Sequence, residues 1–253
     1  MSILKTREEI NNLREGGKIL ASILYQVAEK ALPGVKTLEL DILAERLIRK
    51  AGGVPSFKNY KTKDDKIPYP ASLCVSINDE VVHGIPSERE LKEGDIVSLD
   101  LGMKYKNLYT DMAITAPVGK VSSEALRLTK ITKNSLDAGI SAVKEGARIG
   151  DIGFAVQQCA EKNGFSVVRK LVGHGLGYKA HEEPEIPNFG KPGAGAILKE
   201  GMVLAVEPML SAGDYDIKLA DDQWTWKTTD GSLAAHFEHT LIVTKTGAEV
   251  LTK

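Results

Sequence analysis

Residues 91–101 read LKEGDIVSLDL, and residues 198–208 read LKEGMVLAVEP. The opening LKEG is identical in both, and the offset is 107 residues. On that offset Asp100 falls on Glu207. Each acid ends an apolar run of strand-like composition, where a carboxylate is costly unless something neutralises it. A single pair of copies does not make a solenoid. It points to two halves of one domain, each delivering an acid to a shared place. Two ordinary strands after ordinary turns would read the same way, and the echo alone does not separate these readings.

The 253 residues, 42% hydrophobic, suffice for one large domain or two small ones with an ample core. Lys+Arg 33 against Asp+Glu 34 leaves the charge balanced, so neither nucleic acid nor an anionic membrane is called for as a partner. Two cysteines, Cys74 and Cys159, are few for a secreted scaffold. The opening MSILKTREEI has no apolar signal core, and no later stretch nears 18 apolar residues. A soluble, cytoplasmic chain is expected, with no obligate oligomer; the expected state is a monomer.

Helical spacing predicts helices over 6–31 and 38–51, the second capped by Thr37. An exposed loop, KNYKTKDDKIPYP, follows at 58–70. Two short strands flank Asn78-Asp79 within 72–82, and strands at 95–101 and 108–116 pair across Lys104–Asn107. Ser122 or Ser123 caps a helix reaching about Lys144; Asp151 caps another reaching Asn163, with Cys159 on its core face. A strand at 166–172, the second echoed strand, and a hairpin-like pair at 223–229 and 234–245 complete the chain. The pattern predicts an α+β fold: one curved, mostly antiparallel sheet with helices covering one face and internal pseudo-symmetry.

Asp111 follows Asp100 by 11 residues on the next strand, a spacing that sets two acids side by side across a hairpin. Glu238 lies in the β-prone run HFEHTLIV. Four acids in a sheet interior cannot all be bare anions, and two divalent cations balance them where one would not. Of the five histidines, His174 stands between Gly173 and Gly175, which permit close approach of backbone and ligand, and His181 follows seven residues on. His236 shares a strand face with Glu238 and is expected beside the ligands. One imidazole with four carboxylates suits Mn²⁺, Fe²⁺ or Co²⁺ better than a thiolate-rich structural zinc site would.

The blocks VVHGIP, LDLGMKYKNLYTDMA, VGHGLGYKAHEEP, GMVLAVEP and FEHTLIVT, in this order along nearly the whole chain, resemble methionine aminopeptidases of the type I, bacterial kind, in the M24 metallopeptidase family. The resemblance implies the pita-bread fold: a single catalytic domain over 1–253, with pseudo-two-fold halves of about 1–120 and 121–253. It implies Asp100, Asp111, His174, Glu207 and Glu238 as ligands of two divalent metal ions (Co²⁺, Mn²⁺ or Fe²⁺, with Zn²⁺ admissible), Asp111 and Glu238 bridging them. His83 and His181 match the family's two other active-site histidines. The implied reaction removes the initiator methionine from nascent chains whose second residue is small. Glu207 would take the proton of the attacking water, His181 would stabilise the oxyanion, and His83 would contact the amide nitrogen side. Phe57, Tyr60, Tyr69, Cys74 and Trp224 match walls of the methionine pocket.

The chain departs from that pattern at an insertion over 61–68, at Ala180 and at Val82, which puts pocket shape in doubt. Lys61, Lys63 and Lys66 suggest a lid or a ribosome-facing loop making a transient contact. The alternatives are a proline-type aminopeptidase or dipeptidase of the same fold, and a non-catalytic binding relative. The first carries a separate N-terminal domain, which the residues before the first block are too few to form. The second should lack ligands that are present here.

Overall fold

The computed structural model describes residues 5–63 and 65–253; residues 1–4 and Asp64, one residue of the expected insertion, lie outside the described residues. Helix α1 (Arg7–Ala28) begins at Thr6, whose hydroxyl accepts the Glu9 N–H while the Glu9 carboxylate accepts the Thr6 N–H. That reciprocal cap satisfies two otherwise orphaned donors. In α2 (Thr37–Lys50) the cap position belongs to Lys36 and not to Thr37. The Thr37 hydroxyl is instead bonded to the Ser87 backbone, so it has no capping role to play.

Strands β1 (Val54–Pro55), β2 (Leu73–Ile77), β3 (Glu80–Val82), β4 (Ile96–Tyr105) and β5 (Leu108–Pro117) follow. Helix α3 (Ser123–Ser141) is capped by Ser122. Helix α4 (Ile149–Lys162) starts earlier than expected: Arg148 is at its cap, and Asp151 sits inside the first turn accepting the Arg148 N–H. Then come β6 (Ser166–Val167), β7 (Val172–Gly175), β8 (Glu182–Pro187), β9 (Val203–Val206), β10 (Met209–Ser211), β11 (Ile217–Leu219), β12 (Trp226–Thr228), β13 (Ala234–His236), β14 (Glu238–Val243) and β15 (Ala248–Val250). The strand expected over 166–172 is thus two short strands in different sheets. The expected C-terminal hairpin does not form either: β12 pairs with β11 and β3, β13 with β10, and β14 with β5, β9 and β15.

The main sheet has nine strands in the order β1-β4-β5-β14-β9-β7-β8, with β2 added on β4 and β15 on β14. All its pairings are antiparallel. Its curled face carries two helix pairs. Leu20, Leu24 and Val27 of α1 and Leu40, Ala44 and Ile48 of α2 pack on Val97, Leu99, Leu101 and Met112. Leu136 of α3 and Ile152 of α4 pack on Leu204, Val206, Leu241 and Val243. Side chains alternate along a strand, so the remaining positions, among them Asp100, Asp111 and Glu238, face away from the helices. Among the described residues no helix is long and apolar enough to cross a membrane.

The echo is structural as well as sequential. Leu91 and Leu198 are both buried, and Gly94 (φ +95°) and Gly201 (φ +84°) both adopt the left-handed conformation that favours glycine. The Leu91 N–H donates to Val35 and the Leu198 N–H to Ala147; the Gly94 N–H donates to Val118 and the Gly201 N–H to Val243. Each LKEG turn therefore ties the start of a helix to the end of a sheet strand in the same way.

Candidate metal centre and its pocket

Thirteen side chains singled out in the sequence line one cavity of about 340 Å³: Phe57, Tyr60, Tyr69, Cys74, Val82, His83, Asp100, Asp111, His174, His181, Glu207, Trp224 and Glu238. Thr62 and Asp65 of the 61–68 segment line it too, as its expected effect on the pocket implied. Lys170, Leu171, Val172 and Met209 also line it and were not expected from the sequence, because no spacing links them to the acids.

The β4–β5 ladder places Asp100 opposite Ala113 and Asp111 opposite Gly102. The two acids are therefore diagonal neighbours on one face and not the directly opposed pair that a turn over Lys104–Asn107 would give, because the turn is only Lys106–Asn107. Strand β14 lies against β5 with Glu238 opposite Ala113, which brings the third carboxyl in from the other half of the chain. Glu207 follows the last residue of β9, on the side shared with Val203 and Ala205. His174 on β7 pairs with Ala205 of β9. A Cβ on Gly173 would come within 2.4 Å of the Ala205 carbonyl, and one on Gly175 within 2.4 Å of the Glu183 carbonyl. The glycines flanking His174 thus allow the neighbouring strands to approach closely.

Ligand-type atoms of Asp111, His174 and Glu238 lie within 4.8 Å of one another. The His174 Nε2 is 3.5 Å from a Glu207 oxygen, and its Nδ1 is 2.9 Å from the Gly175 carbonyl. A carbonyl only accepts, so Nδ1 carries the hydrogen and Nε2 presents its lone pair to the cavity, the state a metal ligand requires. Burial holds the His174 pKa down at about 3, so the ring is neutral.

The acids are displaced the other way. Burial, and then the neighbouring negative charges, push Asp111, Glu207 and Glu238 well above the ordinary carboxyl range, and burial raises Asp100 to about 7. Asp100 Oδ1 and Glu238 Oε1 are buried without a hydrogen-bond partner among the described residues. Four clustered carboxyls, two of them with orphaned oxygens, beside an imidazole lone pair form a donor set that fits divalent cations and is poorly satisfied by protein alone.

Side chains without any sequence signal hold these groups. The Thr240 hydroxyl accepts the Asp111 N–H (2.8 Å) and donates to the Asp111 carbonyl (2.7 Å). Thr115 donates to the His236 carbonyl and accepts its N–H. Asn188 donates to the Glu207 carbonyl at 3.1 Å. The His236 ring is buried next to Glu207; its Nε2 is 3.6 Å from a Glu207 oxygen, outside hydrogen-bond reach.

Phe57, Tyr69, Ala71, Cys74 and Trp224 form one apolar cluster, with Tyr60 packed against it. The Tyr69 ring meets Trp224 edge-on at 5.2 Å, and its hydroxyl lies between the carbonyls of Leu73 and Gly84. Burial, and then Asp100, raise the Cys74 thiol, so it stays protonated and serves as wall. Cys159, away from this cavity, is half-buried. His83 holds φ +59°, an uncommon backbone conformation for a non-glycine residue, and its ring faces Trp224 at 6.1 Å. Burial lowers its pKa to about 4. The His181 ring lies 4.3 Å from that of His174, and burial lowers its pKa too.

The family model described as metallopeptidase family M24 matches residues 11–245. The chain is 48% identical over 252 residues to the methionine aminopeptidase of Clostridium perfringens, covering 100% of this chain and 99% of the relative. It is 46% identical to methionine aminopeptidase 1 of Bacillus subtilis, covering 100% of both. The crystal structure of methionine aminopeptidase from Rickettsia prowazekii superposes with a TM-score of 0.96 at 41% identity, again over 100% of both chains.

Proposed function

The chain belongs to metallopeptidase family M24, and on that premise we propose that it is a metal-dependent aminopeptidase that hydrolyses the bond after an N-terminal methionine. The substrates are nascent chains with a small second residue. We read residues 1–253 as one catalytic unit whose halves meet near residue 120. The observation that carries the reading is the cavity itself: four raised carboxyls and the His174 lone pair at one side, the Phe57, Tyr69, Cys74 and Trp224 wall at the other.

In this reading Asp100, Asp111, His174, Glu207 and Glu238 would hold two divalent cations. When bound, the cations supply an acidified water and a Lewis acid for the substrate carbonyl. Glu207 accepts the proton of the attacking water and returns it to the leaving amine. His181 donates a hydrogen bond to the carbonyl oxygen as charge develops on it. His83 meets the amide nitrogen side. The methionine side chain lies against the apolar wall, where its polarisable sulfur packs among aromatic rings. Tyr69, Cys74 and Trp224 are buried, so the wall they form leaves little room for a residue ahead of the methionine.

The test is selectivity with Mn²⁺, Fe²⁺ or Co²⁺ present. Met-Ala-Ser should lose its first residue at least about a hundredfold faster than Val-Ala-Ser, on the order of discrimination an apolar pocket supplies. Equal rates would remove the methionine assignment while leaving the aminopeptidase one.

A further inference from the structure

We propose that the Tyr60 hydroxyl is a positioning group for His181: it donates to Nδ1 and thereby fixes the tautomer in which Nε2 carries the hydrogen. This rests on the reading of His181 as the group that meets the substrate carbonyl, and it gives Tyr60 a task beyond forming a pocket wall.

Two imidazoles sit side by side in the site, and their Nδ1 atoms face different partners. The Nδ1 of His174 is opposite the Gly175 carbonyl, an acceptor only. The Nδ1 of His181 is 2.8 Å from the Tyr60 hydroxyl, a donor as well as an acceptor. A neutral imidazole has one donor and one acceptor nitrogen, so the partner of one sets the role of the other. His174 is left with a bare Nε2, suited to a cation. If the phenol donates, His181 is left with Nε2–H, suited to an oxyanion. The phenol is a firm donor, since burial and the nearby Asp65 raise its pKa and keep its proton on. The opposite tautomer would set a lone pair against the oxygen that gains negative charge.

The backbone explains how Tyr60 keeps this place beside the insertion. The Asn59 N–H donates to Tyr69 and the Tyr69 N–H donates to Tyr60, both at 2.8 Å. These bonds close residues 61–68 at the neck. Beyond the neck the excursion is tied to itself: Asp65 accepts from the Thr62 N–H and hydroxyl, and the Lys61 ammonium donates to the Lys66 carbonyl. The neck thus holds the Tyr60 ring 5.0 Å from that of His181.

The test compares the full-length protein with Tyr60→Phe, which keeps the ring and removes the hydroxyl. Histidine-¹⁵N-labelled protein is observed metal-free and with Zn²⁺, which is diamagnetic. In the wild type, His181 should show an unprotonated Nδ1 and a protonated Nε2; in Tyr60→Phe the two tautomers should mix. Methionine release from Met-Ala-Ser should show kcat lower by about tenfold with KM changed by less than about twofold, part of the loss caused by removing an oxyanion donor outright. A raised KM with unchanged kcat would make Tyr60 a wall only and overturn the proposal, as would an identical His181 spectrum in the variant. A wild type that releases no methionine would overturn the enzymatic reading instead, while the spectra still decide the tautomer.

Discussion

In the first LKEG copy the strand runs on through its acid; in the second it stops one residue short. Strand β4 carries Asp100 mid-strand, laddered to β2 on one side and β5 on the other, and folds straight back into β5 with Asp111. Strand β9 is only four residues long, Glu207 follows it, and Pro208 then ends the pairing register. Its partner β14 arrives from a distant part of the chain. The turns are the same, with Leu91 and Leu198 buried and Gly94 and Gly201 left-handed, so the divergence lies wholly beyond them. An aspartate locked within a ladder has two side-chain torsions and little reach. A glutamate at a strand end has three, and its backbone neighbour cannot be tied into a ladder. The first half therefore presents acids held in a ladder, and the second a carboxylate with more freedom to move, which suits the proton-carrying role proposed for Glu207.

The largest effect that bears on this contrast comes from the acids themselves. Asp100→Asn and Glu207→Gln should each fold and each lower methionine release by about a thousandfold or more, the scale of general acid–base and ligand loss. They should differ in calorimetric Mn²⁺ titrations: Asp100→Asn weakens binding, whereas Glu207→Gln keeps at least one ion and stays slow when saturated. If excess Mn²⁺ restored Glu207→Gln to full rate, the two halves would be equivalent ligand sets and the contrast would fail.

Next in size is the pH dependence of the metal-free protein. Burial raises the folded pKa of Asp100 to about 7 and lifts the other three acids as well. A raised folded pKa gives stability that is fully present below the ordinary carboxyl value and is lost as pH rises through the folded value. Metal-free protein should thus lose stability from about pH 4 to beyond pH 7, on the order of 4 kcal/mol from Asp100 alone. Saturating Mn²⁺ should flatten that slope in thermal melts, because the cations favour the ionised acids. A metal-free protein whose stability rises across this window would show that the acids are already compensated.

The smallest effect concerns the shared turns. Gly94→Ala and Gly201→Ala should each destabilise by about 1 kcal/mol in urea unfolding, since both impose a side chain on a left-handed residue. Costs that differ by much more than that would mean the two turns are not the same device.

The first half of the site was legible because its information is local. Strand, short turn and strand put Asp100 and Asp111 on one face without reference to anything distant; only the turn's length, two residues and not the expected four, shifts them from opposed to diagonal. The second half was legible only as residue types. Alternation shows that 234–245 is β-prone, but not that β13 and β14 leave for different sheets, since any edge of matching polarity can receive a strand. The expected cap at Thr37 failed because local propensity cannot see its distant partner, Ser87; at Asp151 only the position differs, since its carboxylate caps the helix from inside the first turn by accepting the Arg148 N–H. Thr240 and Asn188 carry no motif, and their roles exist only across strand contacts. The bond between Tyr60 and His181 spans 121 positions and begins at the neck of the irregular 61–68 loop, where spacing arguments have no purchase.

The most direct test of the whole account joins cation binding to catalysis. Metal-free protein is titrated with Mn²⁺ by calorimetry while methionine release from Met-Ala-Ser, and from its N-acetylated form, is followed at each step. The account predicts two ions bound per chain, release that appears as they bind, and no cleavage of the acetylated peptide. Saturable Mn²⁺ binding with no methionine released, or release that proceeds equally without the cation, would contradict it.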